Sequence, residues 1–160
     1  AAIGGRSFDL TATITREAGD EGVLFATGTQ NSGISIFVQN DRLVVDYNAF
    51  DDHTILESDI EVPVGQSTLV AEFRRGGGSV GAMAISVDGV PAGSAELPLF
   101  MRMMSSVGPS IASDHGSPVS NRYEAPFAFT GTLHEVVIQL LSLQDLEARA
   151  AEAAAEMSRQ

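Results

Sequence analysis

The chain has 160 residues with 44% hydrophobic content, no cysteine, and 21 acidic residues against nine basic ones, for a formal net charge of −12. That length suits one domain burying about 70% of its unfolded surface, and the missing cysteines exclude disulfide staples, thiolate metal sites and thiol catalysis. Every basic residue is arginine and only Arg74 and Arg75 are adjacent, which argues against nucleic acid, sulfated polysaccharide or an anionic membrane and leaves a neutral or cationic ligand, or none.

Period-two alternation opens the chain: Phe8, Leu10, Ala12 and Ile14 share one face of a strand while Asp9, Thr11, Thr13 and Thr15 take the other. A second strand is predicted at 22–27. Ile34, Ile36 and Val38 repeat the alternation, and Leu43, Val45 and Tyr47 follow the Asn40-Asp41 turn, so 33–48 reads as a hairpin. Further strands are predicted at 53–58, 66–74, 82–87 and 132–140, with Asp88-Gly89 as a two-residue turn because both positions tolerate positive φ. Many short strands separated by turns indicate an all-β sandwich or barrel. The predicted core is Phe8, Leu10, Ile14, Ile36, Leu69, Phe73, Ile85, Val87, Val136 and Ile138.

Between residues 97 and 128 the alternation breaks, punctuated by Pro98, Pro109, Pro118 and Pro126. A loop region of that length is the expected place for a rim binding site. After Leu140 the period changes: Ser142 with Asp145 resembles a capping box, and Leu143, Leu146, Ala150, Ala153 and Met157 form a narrow stripe. The expected division is a β-sandwich domain at 1–141 and a C-terminal helical tail at 142–160. In that tail Leu143, Leu146 and Met157 should meet a partner while Glu147, Arg149, Glu152 and Glu156 face solvent.

Gly76 to Gly81 satisfies both G-x-G-x-x-G and G-x-S-x-G. Each works only where a strand turns into a helix, and AMAISVDG, a strand, follows here, so the segment reads as a flexible connection. His53, His115 and His134 have no metal-binding spacing and read as surface histidines. Sugar binding needs an exposed aromatic face beside amide or carboxylate partners. With no tryptophan, the aromatics outside the evident core are Tyr47, Phe50, Phe100 and Tyr123, with Asn48 and Asn121 close in sequence. Tyr47 also continues the core face of Leu43 and Val45. Met101, Met103 and Met104 beside Phe100 form a soft apolar cluster suited to an interface. No apolar run approaches the roughly 20 residues of a membrane span, no signal peptide is evident, and Ala1 opens mid-domain, so a leader would belong to a longer precursor.

The segment SVGPSIASDHGSPVSNRY from Ser106 to Tyr123, followed by FTGTLHEVVIQL, resembles the carboxyl-terminal domain of bacterial arylsulfatases. GRSFDLTATI, EGVLFATG, GISIFVQNDRLVVDYN and AISVDGVPAG extend that resemblance over nearly the whole chain. It implies a concanavalin A-like jelly roll of the laminin-G type, two antiparallel sheets with a C-terminal helix, acting as a non-catalytic accessory domain. The parent would hydrolyse sulfate esters, since this chain has neither the cysteine nor the S-x-P-x-R string from which sulfatases make their nucleophile. The implied partners are a catalytic sulfatase domain or a sister subunit, in a soluble bacterial protein of the cytoplasm or periplasm. A carbohydrate-binding module for a neutral glycan is the alternative, and a glucanase-type enzyme ranks last because no E-x-D-x-x-E string occurs. Laminin-G sandwiches often hold calcium at the rim, which marks Asp114 in the S-D-H-G-S turn as the metal candidate; a turn-stabilising aspartate is the competing reading and no metal is favoured. The candidate ligand-binding residues are Tyr47, Asp114, His115 and Tyr123, with no catalytic residue.

Overall fold

The alternation of β1 (Phe8–Arg16) fixes the first layer, with Phe8, Leu10, Ala12 and Ile14 buried and the residues between them half-buried. The computed structural model describes residues 6–101, 109–142, 146–149 and 151. After β1 come β2 (Gly22–Gly28), β3 (Gly33–Gln39), β4 (Arg42–Ala49), β5 (Asp52–Glu61), β6 (Gly65–Arg75), β7 (Gly81–Val87), β8 (Val90–Leu97), β9 (Ser110–Ile111) and β10 (Thr132–Leu140). They form two antiparallel five-stranded sheets in the orders β10-β1-β6-β7-β8 and β5-β4-β3-β2-β9. Edge strands β5 and β8 lie against each other and close one side of the sandwich.

Three two-residue turns set the hairpin registers. Asn40 and Asp41 (φ 53° and 63°) link β3 to β4, Phe50 and Asp51 (53° and 71°) link β4 to β5, and Asp88 and Gly89 (50° and 80°) link β7 to β8. Positive φ at both central positions matches the right-handed twist of the flanking strands. The glycine-rich run connects β6 to its hairpin partner β7, with Gly76 N–H donating to the Val80 carbonyl at 2.9 Å. No helix follows it to hold a phosphate.

One core lies between the sheets. Phe8 stacks on Phe73 with ring centroids 4.5 Å apart, and Leu10, Ile14, Ile36, Leu69, Ile85 and Val87 are buried beside them. Val136 and Ile138 pack against this core as predicted, half-buried. The second sheet differs from its predicted one-sided alternation: β2, β3 and β4 are buried on both faces. The chain from Ser110 to Phe127 folds across the outer face, where Val23, Ala26, Phe37, Val44 and Val119 form a second cluster with Tyr123 and Phe127. β8 and β9 had no strand signal of their own.

Of the tail, residues 146–149 and 151 are helical. Leu146 lines a hollow with Arg6, Ser7, Arg75 and Leu141. Arg149, expected to face solvent, keeps a side chain 40% exposed and pairs with Asp9 at 2.5 Å on the outer face of β1. Leu143, Ala150, Ala153, Met157, Glu152 and Glu156, like Met103 and Met104, lie outside the described residues.

Candidate functional site

Three connections meet at the end of the second sheet where β4 leaves for β5: the β2–β3 loop, the Phe50-Asp51 turn and the segment from Asp114 to Tyr123. Asn48 joins them. Fully buried near the end of β4, it donates from Nδ2 to the carbonyls of Gln30 (2.9 Å) and Val119 (3.0 Å) and accepts from the Asp51 N–H at 2.9 Å. The Gln30 N–H in turn donates to Ser117 Oγ at 3.1 Å. Gly28 (φ 105°) and Gly33 let the first loop close tightly, since a side chain on Gly33 would collide with the Thr27 carbonyl.

Two residues earlier on the same face, Asp46 is fully buried. It accepts from His53 Nδ1 at 2.9 and 3.0 Å and from Ser120. Burial raises its pKa, against the opposing pull of those hydrogen bonds. When Asp46 is ionised, His53 must carry its proton on Nδ1, so Nε2 is presented outward. There it meets Asn121 Nδ2 at 3.3 Å and the Asp51 carboxylate at 3.5 Å. Arg122, the next residue, binds Glu57 at 3.0 Å and holds the loop across β4 and β5. An Asp–His pair is part of a hydrolytic relay, yet the groups facing Nε2 are an amide and a carboxylate, neither of them a hydroxyl or thiol that the imidazole could deprotonate for attack. The arrangement is one of hydrogen-bonding side chains held in place, which suits binding.

The four sequence candidates do not form one site. Tyr47 is 1% exposed between the sheets, near the rings of Phe73 and Phe100, and accepts from the Met101 N–H at 2.8 Å. Burial pushes its pKa up to about 12. Its core-facing register therefore corrects its nomination as a ligand-binding residue. Asp114 is also buried; it accepts from the Val119 N–H at 2.8 Å and from the Tyr123 hydroxyl, so its carboxylate braces its own loop. Those are the contacts of a turn-stabilising aspartate. Among the described residues no group of three or more His, Asp or Glu is placed to hold an ion.

Tyr123 is half-buried, stacked on Phe127 at 5.1 Å with its hydroxyl 2.7 Å from Ser35 Oγ. Burial and the Asp114 carboxylate both raise its pKa. His115 is exposed, and its backbone N–H donates to Ser110 Oγ at 3.3 Å. Phe100, the third aromatic weighed, is 2% exposed in the core.

Phe50 is the exception. It is 67% exposed, the sole aromatic among the exposed large hydrophobic residues described, and has φ 53°. A bulky side chain in the left-handed region costs about 1–2 kcal/mol where asparagine or glycine would serve. In the chain it follows Asn48 and Ala49 and precedes Asp51, Asp52 and His53, at the turn that links β4 to β5. The pairing of Asp46 with His53 was not legible in sequence, because the residues adjacent to His53 are Asp51 and Asp52. The signal was positional: cross-strand partners Asn48 and His53 put Asp46 one step along the same face.

No protein-family profile and no curated protein sequence matches the chain. Its fold is similar to that of the heptameric SAP-like pentraxin from Limulus polyphemus, with a TM-score of 0.56 and 18% identity over 86% of this chain and 66% of that one. Domains LG4-5 of the mouse laminin α1 chain match with a TM-score of 0.65 and 15% identity, over 85% of this chain and 37% of the laminin chain. The CBM40 of the Ruminococcus gnavus IT-sialidase, solved bound to α2,6-sialyllactose, matches at 0.57 and 12% identity over 89% and 81%. The chain thus spans less than two thirds of the pentraxin and laminin chains it matches. These likenesses, with the two antiparallel five-stranded sheets, establish a concanavalin A-like, laminin G-like jelly roll.

Proposed function

We propose that this domain is a carbohydrate-binding module whose sugar stacks on Phe50 and hydrogen-bonds to Asn121, His53 and Asp51. The observation that carries the reading is Phe50, held open at 67% exposure in a backbone conformation that works against its presence. Supporting it, His53 and the backbone of this turn are anchored by buried Asp46 and Asn48, so part of the ordering is done before a ligand arrives. The binding-module neighbour with bound sialyllactose supports the class of ligand through the fold alone. The ligand favoured here is a neutral glycan, because Asp51 and Asp52 flank the ring in a chain of net charge −12 and would repel a carboxylated or sulfated sugar. A glycan array, followed by calorimetry with wild type and Asn121→Ala, tests this. Saturable binding to a neutral glycan that weakens in Asn121→Ala is expected; an array with no binder, or binding confined to sulfated sugars, would refute it.

An arylsulfatase parent rests on the sequence motifs from Gly5 to Leu140. The structural neighbours give it no support. In that setting the domain would brace a catalytic sulfatase domain or a sister subunit, and its test is whether the reading frame upstream encodes a C/S-x-P-x-R segment.

A further inference from the structure

Strand β10 is nine residues long, contains neither proline nor lysine, is bulged only near its start, between Leu133 and Glu135, and pairs with β1 alone among the described residues. Natural edge strands are usually short, bulged, covered or charged, because an open edge is a template for pairing. Here the aliphatic side chains that turn toward the core, Leu133, Val136, Ile138 and Leu140, remain half-buried although they pack on it. Val137 on the opposite face is 46% exposed. Among the described residues the core therefore stops one strand short at this edge. The described helical residues that follow do not complete it, since Leu146 lies by Arg6, Ser7 and Arg75, and Arg149 pairs with Asp9. These contacts lead over β1 and β6, away from the edge.

The backbone polarity of the edge can be read from one bond. The Leu141 N–H donates to the Ser7 carbonyl at 3.0 Å, so residue 141 faces β1. By the alternation of an antiparallel ladder, Val137 and Gln139 also face β1, whereas Val136, Ile138 and Leu140 direct N–H and C=O outward.

We propose that β10 is the seam of a two-fold symmetric dimer, pairing antiparallel with β10 of a second copy of this chain. Only registers that set outward-facing residues opposite one another make hydrogen bonds, and the one centred on Val137 does so while using most of the strand. Val136 then faces the partner's Ile138 in a hydrogen-bonded pair, extending the core, and Val137 faces its own copy in a close non-hydrogen-bonded pair. Glu135 faces Gln139. The two Glu135 carboxylates fall roughly 13 Å apart along the seam at about 3.4 Å per residue, beyond the ~8 Å screening length at physiological salt. No like charges face each other, so the strand is complementary to itself. What opposes association is the global charge of −12 per copy, which salt screens.

Sedimentation velocity on the full chain over a wide concentration range tests this, with three variants at exposed positions of β10. Wild type should be a reversible dimer that tightens as salt rises. Val137→Lys sets two cations face to face and should weaken the dimer by roughly tenfold or more. Because the chain has no native cysteine, Val137→Cys should cross-link on mild oxidation while Glu135→Cys, far from its copy, should not. A monomer at every concentration would overturn the proposal. So would a dimer that Val137→Lys leaves unchanged, or equal cross-linking of the two cysteine variants, since either would put the interface elsewhere.

Discussion

Replacing Phe50 by asparagine separates binding from stability. The ring is 67% exposed, so only about a third of it touches protein. Full burial of a phenylalanine is worth about 1.5–3 kcal/mol, so removing this one forfeits roughly 0.5–1 kcal/mol. Against that, φ of 53° at Phe50 and 71° at Asp51 define a turn that asparagine fits at its first central position, relieving about 1–2 kcal/mol. The net expectation for Phe50→Asn is a stability unchanged or raised by up to about 1.5 kcal/mol, a melting-temperature increase of no more than about 6 °C for a chain of this size. Glycan affinity should fall by at least about tenfold, near 1.4 kcal/mol, because the stacking surface is gone. Thermal melting and calorimetry on the same preparation check both. A loss of more than about 2 kcal/mol in stability would make Phe50 a packing residue, and undiminished affinity would remove it from the site.

Phe73→Ala should cost about 3–5 kcal/mol by chemical denaturation, since Phe73 is fully buried against Phe8; a loss below about 1 kcal/mol would contradict its place in the core. Asp46 has a raised pKa in the fold, so folding favours its protonated form relative to the unfolded chain. Its contribution to stability is present below the ordinary value of 3.8 and is lost as pH rises through the folded value. Wild-type stability minus that of Asp46→Asn should therefore fall with rising pH in the weakly acidic range and then level off; a difference that rises with pH would reverse the assignment. Asp114→Ala orphans the Val119 N–H, takes from the Tyr123 hydroxyl one of its two partners, and should cost about 1–3 kcal/mol. Calcium should leave the wild-type melting temperature unmoved, and a calcium-dependent rise abolished in Asp114→Ala would restore the metal reading.

The first sheet was legible because its strands alternate cleanly: Phe8, Leu10, Ala12 and Ile14 sit where the period-two pattern puts them. The second sheet was half-read. Ile36-Phe37-Val38 and Leu43-Val44-Val45 are continuous apolar runs, the signature of strands covered on both faces. Attention to their alternate members hid Phe37 and Val44, and with them the role of the Ser110 to Phe127 segment as a cover. β8 was missed because Val90-Pro91-Ala92-Gly93 has weak strand propensity and is held by pairing with β7. At the proposed site, sequence pointed to the stretch around Asp114 to Tyr123, whereas the proposal rests on Phe50, Asp51, His53 and Asn121. Which aromatic stays open depends on how far a loop covers a face, and that decides for Phe50 over Tyr47, Phe100 and Tyr123. The Asp46–His53 contact depends on cross-strand register, which no local pattern encodes.

The central claim, a glycan site on the rim around Phe50, is tested most directly by titrating the 15N-labelled domain with the tightest neutral glycan found on an array and following its amide resonances. Saturable shifts should cluster at residues 30–32, 50–53 and 117–122, the three connections that Asn48 joins, while the β6–β7 connection and β10 stay still. Shifts centred elsewhere on the sandwich, with residues 50–53 unmoved at saturation, would contradict the account.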